Sequence, residues 1–338
     1  MQAIVYTGNG GPDVLELVER EVPEPGPGEV RVRVAVSGIN PTDWKARRAT
    51  PPVAGWQVPH QDGAGVVEAV GTGVDPALVG ERVWIWESAW RRPWGTAAEY
   101  TIVPARQVVL LPAGASFELG AALAIPFLTA HRCITLGEAM PDRLDPGALA
   151  GRTVLVQGGA GAVGNAAIQL GRWADATVIA TVSSPAKAHL AAAAGASHVI
   201  DYRRQDVAAE VRRIAPHGVD AVIEVSAQAN AATDVAVAGP HAAVAVYADD
   251  GNAEVTLPIR SLMIPNAAWH FVLVYTEPAA AKAAAVEDVN AAVADGAVRV
   301  GREAGLPLHV FGLADTARAQ AALEGSVTGR VLVGVADL

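Results

Sequence analysis

Apolar and polar positions alternate over short runs in the first 125 residues. Val30, Val32, Val34 and Val36 are spaced by two, with Arg31 and Arg33 between them, and 65–70 form a second apolar run. Such patterning predicts half-buried strands. Turn clusters such as Pro23-Glu24-Pro25-Gly26-Pro27-Gly28 separate them. The texture changes near Thr153. Short β-branched runs at 154–157, 177–182, 198–200, 221–225, 242–247 and 271–275 then follow one another, with Ala-rich stretches of helical length at 162–173 and 185–194. Strands separated by helices predict an α/β fold with a parallel, doubly wound sheet. Near the end, 279–294 reads as an Ala-rich helix, and 308–311 and 331–335 as strands returning to the first domain.

Composition narrows the class. A chain of 338 residues, 51% hydrophobic, has ample material for two domain cores. Cys133 is the single cysteine, so no intrachain disulfide can close, and zinc sites needing two thiolates are excluded. We read it as a buried apolar residue. The formal charge is −10 and no window is densely basic, which argues against a nucleic-acid partner. The longest uncharged stretch, 153–171, contains five glycines together with Gln157, Asn165 and Gln169, so it does not read as a membrane span. The opening residues read as a strand without a signal-peptide n-region, and the expectation is a soluble cytoplasmic protein.

One loop carries chemistry. The run 154–157 leads into Gly158-Gly159-Ala160-Gly161-Ala162-Val163-Gly164 and then into a helix, and Gly159-x-Gly161-x-x-Gly164 is a dinucleotide fingerprint. Glycines permit a tight turn and close backbone approach, while the helix N-terminus offers N–H groups and a positive dipole end to a pyrophosphate. An NAD site normally carries Asp or Glu about 20 residues further on, to bond the ribose 2′-OH. Here stands Val182-Ser183-Ser184-Pro185-Ala186-Lys187. Ser184 suits an N-cap and Pro185 the first helical position, so a second helix start faces the ribose end. Lys187 adds a cation that a 2′-phosphate explains, and an ordinary solvated lysine explains equally simply. The absent acid favours NADPH.

Several ordered motifs resemble one family. They are Gly38-Ile39-Asn40-Pro41-Thr42-Asp43, Asp62-Gly63-Ala64-Gly65-Val66-Val67-Glu68-Ala69-Val70-Gly71, Gly80-Glu81-Arg82-Val83, Gly95-Thr96-Ala97-Ala98-Glu99-Tyr100, Ile125-Pro126-Phe127-Leu128-Thr129-Ala130, the glycine loop, and Thr328-Gly329-Arg330. Together they resemble the zinc-independent quinone oxidoreductases, including zeta-crystallin, of the medium-chain dehydrogenase/reductase superfamily. The resemblance implies a GroES-like, mainly-β catalytic domain (1–125 and 277–338) and a Rossmann cofactor domain (126–276). It also implies a homodimer paired along an edge strand at 271–275. The positions where zinc-dependent relatives hold their catalytic ion fall on Asn40, Gln61 and Ile125, and the four-cysteine structural lobe is missing, so no metal is expected. His60 lies one residue from a ligand position, and a lone histidine reads as packing or surface.

The same resemblance assigns Ala160, Gly161, Ala162 and Val163 to the pyrophosphate, and Ser183, Lys187 and Tyr202 to the 2′-phosphate. Gln228, Tyr247, Leu273, Val274 and Tyr275 would flank the ribose and nicotinamide, with Thr129 and Arg330 closing the site. Without zinc, a substrate carbonyl must be polarised by hydrogen-bond donors. Asn40 is the leading candidate, against a plain role in satisfying a turn. Quinones and other α,β-unsaturated carbonyls suit such a site better than simple ketones. Trp44, Trp56, Trp84, Trp86, Trp90 and Trp94 cluster within 44–94. They read either as an aromatic substrate cleft, with Trp44 and Trp56 favoured as loop residues, or as core filling. Arg91-Arg92 reads as a solvated pair rather than an anion contact. The expected activity is NADPH-dependent, metal-free reduction of a quinone or enone. The alternatives are an enoyl reductase of a dedicated biosynthetic pathway and a non-catalytic, crystallin-like NADPH-binding protein.

Overall fold

In the computed structural model, which describes residues 1–249, 251 and 254–338, the chain divides into two compact units. One comprises Met1–Ile125 with Leu308–Leu338, the other Pro126–Pro307. The first holds the alternating segments. Glu29–Gly38 is its central strand, pairing antiparallel with Asp62–Val70, Arg330–Gly334 and Tyr100–Pro104. Arg82–Ile85 and Val108–Leu110 extend the sheet on one side, and Leu308–Gly312 on the other. The period of two sorts the central strand: Val30, Val32 and Val34 are fully buried, and Val30 and Val32 pack against Val67, Val83, Ile85 and Val103.

In the second unit, six strands form a wholly parallel sheet. Their spatial order is His198–Asp201, Thr177–Val182, Thr153–Val156, Val219–Glu224, Ala238–Val246 and Ala268–Phe271. The strand order reverses beside Thr153–Val156, the place where such sheets bind ligands at their strand C-termini. Fully buried strands need apolar side chains on both faces, which is why they read as continuous β-branched runs. Small residues let helices approach: a Cβ at Gly171 of the helix Ala162–Trp173 would meet Val178 Cγ2 at 2.9 Å. The helix Phe117–Thr135 is long and apolar enough to cross a membrane, but most of it is buried within the protein, as befits a core helix.

Two expectations are corrected. Residues 277–307, assigned above to the first domain, pack in the second unit. Polar contacts decide this. Asn165 Nδ2 donates to the Ala304 carbonyl at 2.9 Å, and Gln169 exchanges bonds with the Arg299 backbone at 2.8 and 3.0 Å. Asp288, on the helix Ala279–Ala294, is bonded to His131 Nε2 (2.7 Å), the Leu144 N–H (2.8 Å) and Arg143. The expected edge strand at 271–275 is likewise displaced to Ala268–Phe271. Its neighbour ends at Val246, paired with Phe271, and the chain then enters a 3₁₀ turn at Val274–Thr276.

Asp288 is held down to about 2 although burial opposes it, because His131, Arg143 and the Leu144 N–H bond its charged form. A depressed carboxyl stabilises the fold above its unfolded pKa and loses that effect as pH falls toward the folded value. Asp288→Asn is therefore expected to lower stability at pH 7 by about 1 kcal/mol, and the difference from the parent should shrink between pH 4 and pH 2, read by urea denaturation.

Candidate functional site

The glycine loop stands at the C-terminal end of Thr153–Val156. Gly158 adopts φ +74°, a left-handed conformation that favours glycine. A Cβ at Gly159 would meet Ala180 Cβ at 2.8 Å, and one at Gly164 would strike the Gly158 carbonyl. Gly161 differs: a Cβ there would touch the Gly158 carbonyl at an ordinary 3.5 Å, so packing within the protein does not demand glycine. Gly161 is exposed and is the N-cap of the helix Ala162–Trp173, with no side chain accepting from the first-turn N–H groups. An uncapped, electropositive helix start beside an exposed glycine is a fitting cradle for a phosphate. Ala160 is buried beneath it, and Ala162 and Val163 are half-buried at its rim.

The structure brings Ser183, Ser184, Lys187 and Tyr202 together at the ends of Thr177–Val182 and His198–Asp201. Ser184 caps the helix Pro185–Ala193, its Oγ accepting the Lys187 N–H at 3.3 Å with Pro185 in the first helical position. Exposed Tyr202 donates its backbone N–H to the Val182 carbonyl at 3.0 Å, beside Ser183. The nearest acid, Asp201, accepts the Arg203 N–H at 3.1 Å and faces Arg204 at 3.7 Å, so its carboxylate is turned into its own loop. Gln228 lies exposed in the first turn of the helix Ala227–Val237, and Tyr247 follows the strand Ala238–Val246 directly. Leu273 is exposed, Val274 and Tyr275 are buried in their turn, and Thr129 is buried within the helix Phe117–Thr135.

In the first unit, Asn40 and Arg330 meet at an acid that the sequence reading passed over, Asp62. Arg330 Nη2 pairs with Asp62 Oδ2 at 2.6 Å, and its Nη1 donates to Asn40 Oδ1 at 2.8 Å. Asn40 Nδ2 donates to Asp62 Oδ2 at 2.8 Å. A cation on its oxygen and a carboxylate on its nitrogen fix the orientation of the Asn40 amide. Arg330 also bonds the Ile39 and Ala121 carbonyls at 2.5 and 3.1 Å, so most of its guanidinium is spent inside this unit. Neither earlier reading of Asn40 anticipated this ion-pair role. All three side chains are buried, and burial pushes Asp62 up to about 6 even against Arg330 and the Asn40 bond.

The neighbours follow the same logic. Asn40 is the N-cap of the helix Pro41–Ala49, and its backbone N–H donates to Asp43 Oδ2 at 2.7 Å. Burial drives Asp43 well above the usual carboxylate range. His60 is buried, with Nδ1 at 2.9 Å from Ser37 Oγ and Nε2 at 3.1 Å from Gln320 Nε2. Burial and Arg330 push it down to about 3, so it is neutral at pH 7. Gln61 Oε1 is buried without a hydrogen-bond partner, while the Ile125 N–H points at the Asp62 carboxylate at 3.3 Å. Among the described residues, no group of three or more His, Cys, Asp or Glu side chains is placed to hold a metal ion.

The tryptophans divide. Trp84 and Trp86 are buried. Trp44, expected in a loop, lies on the helix Pro41–Ala49, because Asn40-Pro41-Thr42-Asp43 is a helix start. Trp56 is in a loop but packs edge-on against Trp94, ring centroids 4.8 Å apart, with the Arg20 guanidinium 3.7 Å from its ring centre. Core filling thus accounts for Trp56. Arg92 is not a solvated residue either: it is half-buried and donates to Gln107 Oε1 at 2.8 Å.

Comparison with known proteins agrees with this architecture. Residues 26–113 match the alcohol dehydrogenase GroES-like domain, and residues 162–290 match the zinc-binding dehydrogenase family. The chain is 33% identical to the synaptic vesicle membrane protein VAT-1 homolog of Rattus norvegicus, over 80% of this chain and 64% of that protein. It therefore spans less than two thirds of that relative's length. Quinone oxidoreductase of Lama guanicoe is 30% identical, over 75% of each chain. Among solved structures, an NAD-dependent alcohol dehydrogenase superposes with TM-score 0.85 at 28% identity, covering 99% of this chain and 100% of that one. A mycobacterial protein complexed with NADPH superposes with TM-score 0.81 at 27% identity, covering 98% and 99%.

Removing Arg330 alone leaves Asp62 buried without its cation. Arg330→Met should destabilise the first unit by about 3 kcal/mol at pH 8 and by less at pH 5, where Asp62 takes up a proton. Adding Asp62→Asn should recover most of the loss. Additive losses in denaturant titrations of the single and double variants would show that the two are not coupled.

Proposed function

The chain belongs to the quinone oxidoreductase family of the medium-chain dehydrogenases/reductases, and from that membership we propose that it is an NADPH-dependent, metal-free reductase of quinones or other α,β-unsaturated carbonyls. The observation that carries this reading is the Arg330–Asn40–Asp62 node. A fixed guanidinium touching both Asn40 and Asp62 repels a dication, and the three positions assigned above to zinc ligation are two amides and an aliphatic side chain.

Bound in the glycine-loop cradle, NADPH supplies hydride. The chain's own residues bind and orient it. Backbone N–H groups of Gly161, Ala162 and Val163 hold the pyrophosphate at the helix start. Ser183, Lys187 and Tyr202 surround the 2′-phosphate, with Ser184 shaping the turn through its cap. Asn40 has one amide hydrogen bonded to Asp62, and its second is available to orient a carbonyl oxygen. An electron-poor acceptor needs little further polarisation, because solvent protonates the resulting hydroquinone anion or enolate. The exposed edge residues Phe271 and Leu273 suit pairing of two copies as a homodimer.

An enoyl reductase of a dedicated pathway is the second reading, favoured by a solved neighbour described as a 2-haloacrylate reductase, 27% identical with TM-score 0.80. Steady-state rates with a simple quinone, an enone, an enoyl thioester and a saturated ketone separate the two. Reduction of none of them, despite quenching of tryptophan fluorescence by NADPH, would leave a non-catalytic binding protein. Activity is expected to survive exhaustive chelation, and loss of it would sink the metal-free reading. Lys187→Ala should raise the Kd for NADPH about tenfold and leave that for NADH nearly unchanged. Equal effects on the two dinucleotides would remove the 2′-phosphate from its role.

A further inference from the structure

Beneath the glycine loop lies a polar chain with no cation in it. The Gly158 N–H donates to Thr181 Oγ1 at 3.2 Å. Having accepted that bond, the Thr181 hydroxyl spends its hydrogen on Gln157 Oε1 at 2.7 Å. This fixes the Gln157 amide, so that Nε2 faces outward and donates to Asp234 Oδ1 at 2.9 Å. Asp234, on the helix Ala227–Val237, lies against Glu224, the last residue of the strand Val219–Glu224. Glu224 in turn accepts from the Ser226 N–H and from Asn230 Nδ2, at 3.0 and 3.2 Å to its two oxygens. Ser226 is the residue at which the helix carrying Gln228 begins. Two hydrogen-bonded segments, one from the glycine loop to Asp234 and one from Glu224 to the start of the helix Ala227–Val237, thus meet at the Asp234–Glu224 contact.

The donors do not suffice for two carboxylates. Glu224 and Asp234 are both completely buried. Both Glu224 oxygens receive donors, whereas Asp234, beside Glu224, has a buried Oδ2 with no hydrogen-bond partner. Two ionised carboxylates only accept, so the contact becomes a hydrogen bond only if one of them keeps a proton. The position poorer in donors is Asp234. We propose that Asp234 is a positioning residue for the cofactor: as a neutral acid donating its proton to Glu224 it latches the glycine loop to the start of the helix Ala227–Val237, and loss of that proton to base releases the latch and weakens NADPH binding. This rests on the cofactor reading above.

Burial first, and then the charge of Glu224, raise Asp234 to about 9, with the Gln157 bond opposing them. The other groups facing the pair do not supply a countercharge. Tyr247 and Cys133 lie on the Glu224 side, and burial raises both well above their ordinary ranges. From the neighbouring helix Val207–Ile214, the Arg212 guanidinium is spent on the Ala236 carbonyl at the C-terminal end of the Asp234 helix, at 2.7 and 3.0 Å. A raised carboxyl favours the latched state below its folded pKa, and the latch is lost as pH rises through that value.

The test is the Kd for NADPH from pH 7.5 to pH 10.5 in the intact parent protein and in Asp234→Asn, together with the melting temperature of each without cofactor. Asparagine accepts from Gln157 and donates to Glu224 at every pH. Both proteins should bind within about twofold of one another at pH 7.5. One pH unit above the midpoint, the parent Kd should have risen about tenfold more than that of the variant, and the parent melting temperature should have fallen further. Any titration elsewhere in the protein is common to both and cancels in the comparison. Parallel Kd curves with tight binding at pH 7.5 would overturn the latch and leave the cofactor reading standing. No binding by either protein at pH 7.5 would overturn the cofactor reading and the positioning role with it. Melting curves that still diverged at high pH would then assign the shared proton to the fold alone.

Discussion

The first unit is organised around a charge it cannot leave alone. Asp62 begins a central strand with no exposed surface, and its carboxylate is met by Arg330, Asn40 and the Ile125 N–H. These groups come from the last strand, the first helix start and the long apolar helix. Withdrawing two charges from water costs more than their attraction returns unless every remaining polar atom is bonded. Asp62 shows that balance directly: with a guanidinium at 2.6 Å it still sits at about 6. The node is therefore weak as a source of stability and strong as a source of geometry. It specifies one orientation of the Asn40 amide, and it requires the chain's final strand to be in place before that orientation exists.

This explains which features were legible in the sequence. The glycine loop was, because its constraints are backbone constraints that particular glycines satisfy: a left-handed Gly158, and a Gly164 whose Cβ has no room. The Ser184-Pro185 helix start was legible for the same local reason. Asp62 was not, since its partner lies 268 residues away and an acid opening a strand looks like any solvated terminus. Asp234 and Glu224 were missed likewise, being ordinary residues of an Ala-rich helix and a strand end until folding sets them against each other.

The misplaced boundaries have equally specific causes. Nothing in the Ala-rich face of Ala279–Ala294 indicates which unit it joins. That is decided by Asp288 with His131 and Arg143, and by Asn165 and Gln169 gripping the loop that follows. The edge strand ends early because its neighbour runs out of residues to pair. Trp44 had a local signal that went unread, an Asn-Pro-x-Asp helix start in which the acid three residues on bonds the cap backbone.

Two buried acids, then, meet the same electrostatic problem with different neutralising agents. Asp62 is offset by a permanent cation, and Asp234, in the reading given above, by a proton. The difference sets opposite sensitivities. As pH falls through about 6, Asp62 takes up a proton and loosens its hold on Arg330 and Asn40. As pH rises through about 9, Asp234 gives its proton up and leaves Glu224 facing a like charge. The first unit's node is thus complete only above its value, and the second unit's only below its own. A bell-shaped pH profile is ordinarily assigned to a catalytic acid and base. Under the function proposed above, each limb would instead come from a group that positions residues within its own unit, because hydride reduction with solvent protonation requires no titrating side chain at the reacting atoms. The limbs would then belong to binding and orientation, carried by the same two nodes that hold the loops in place.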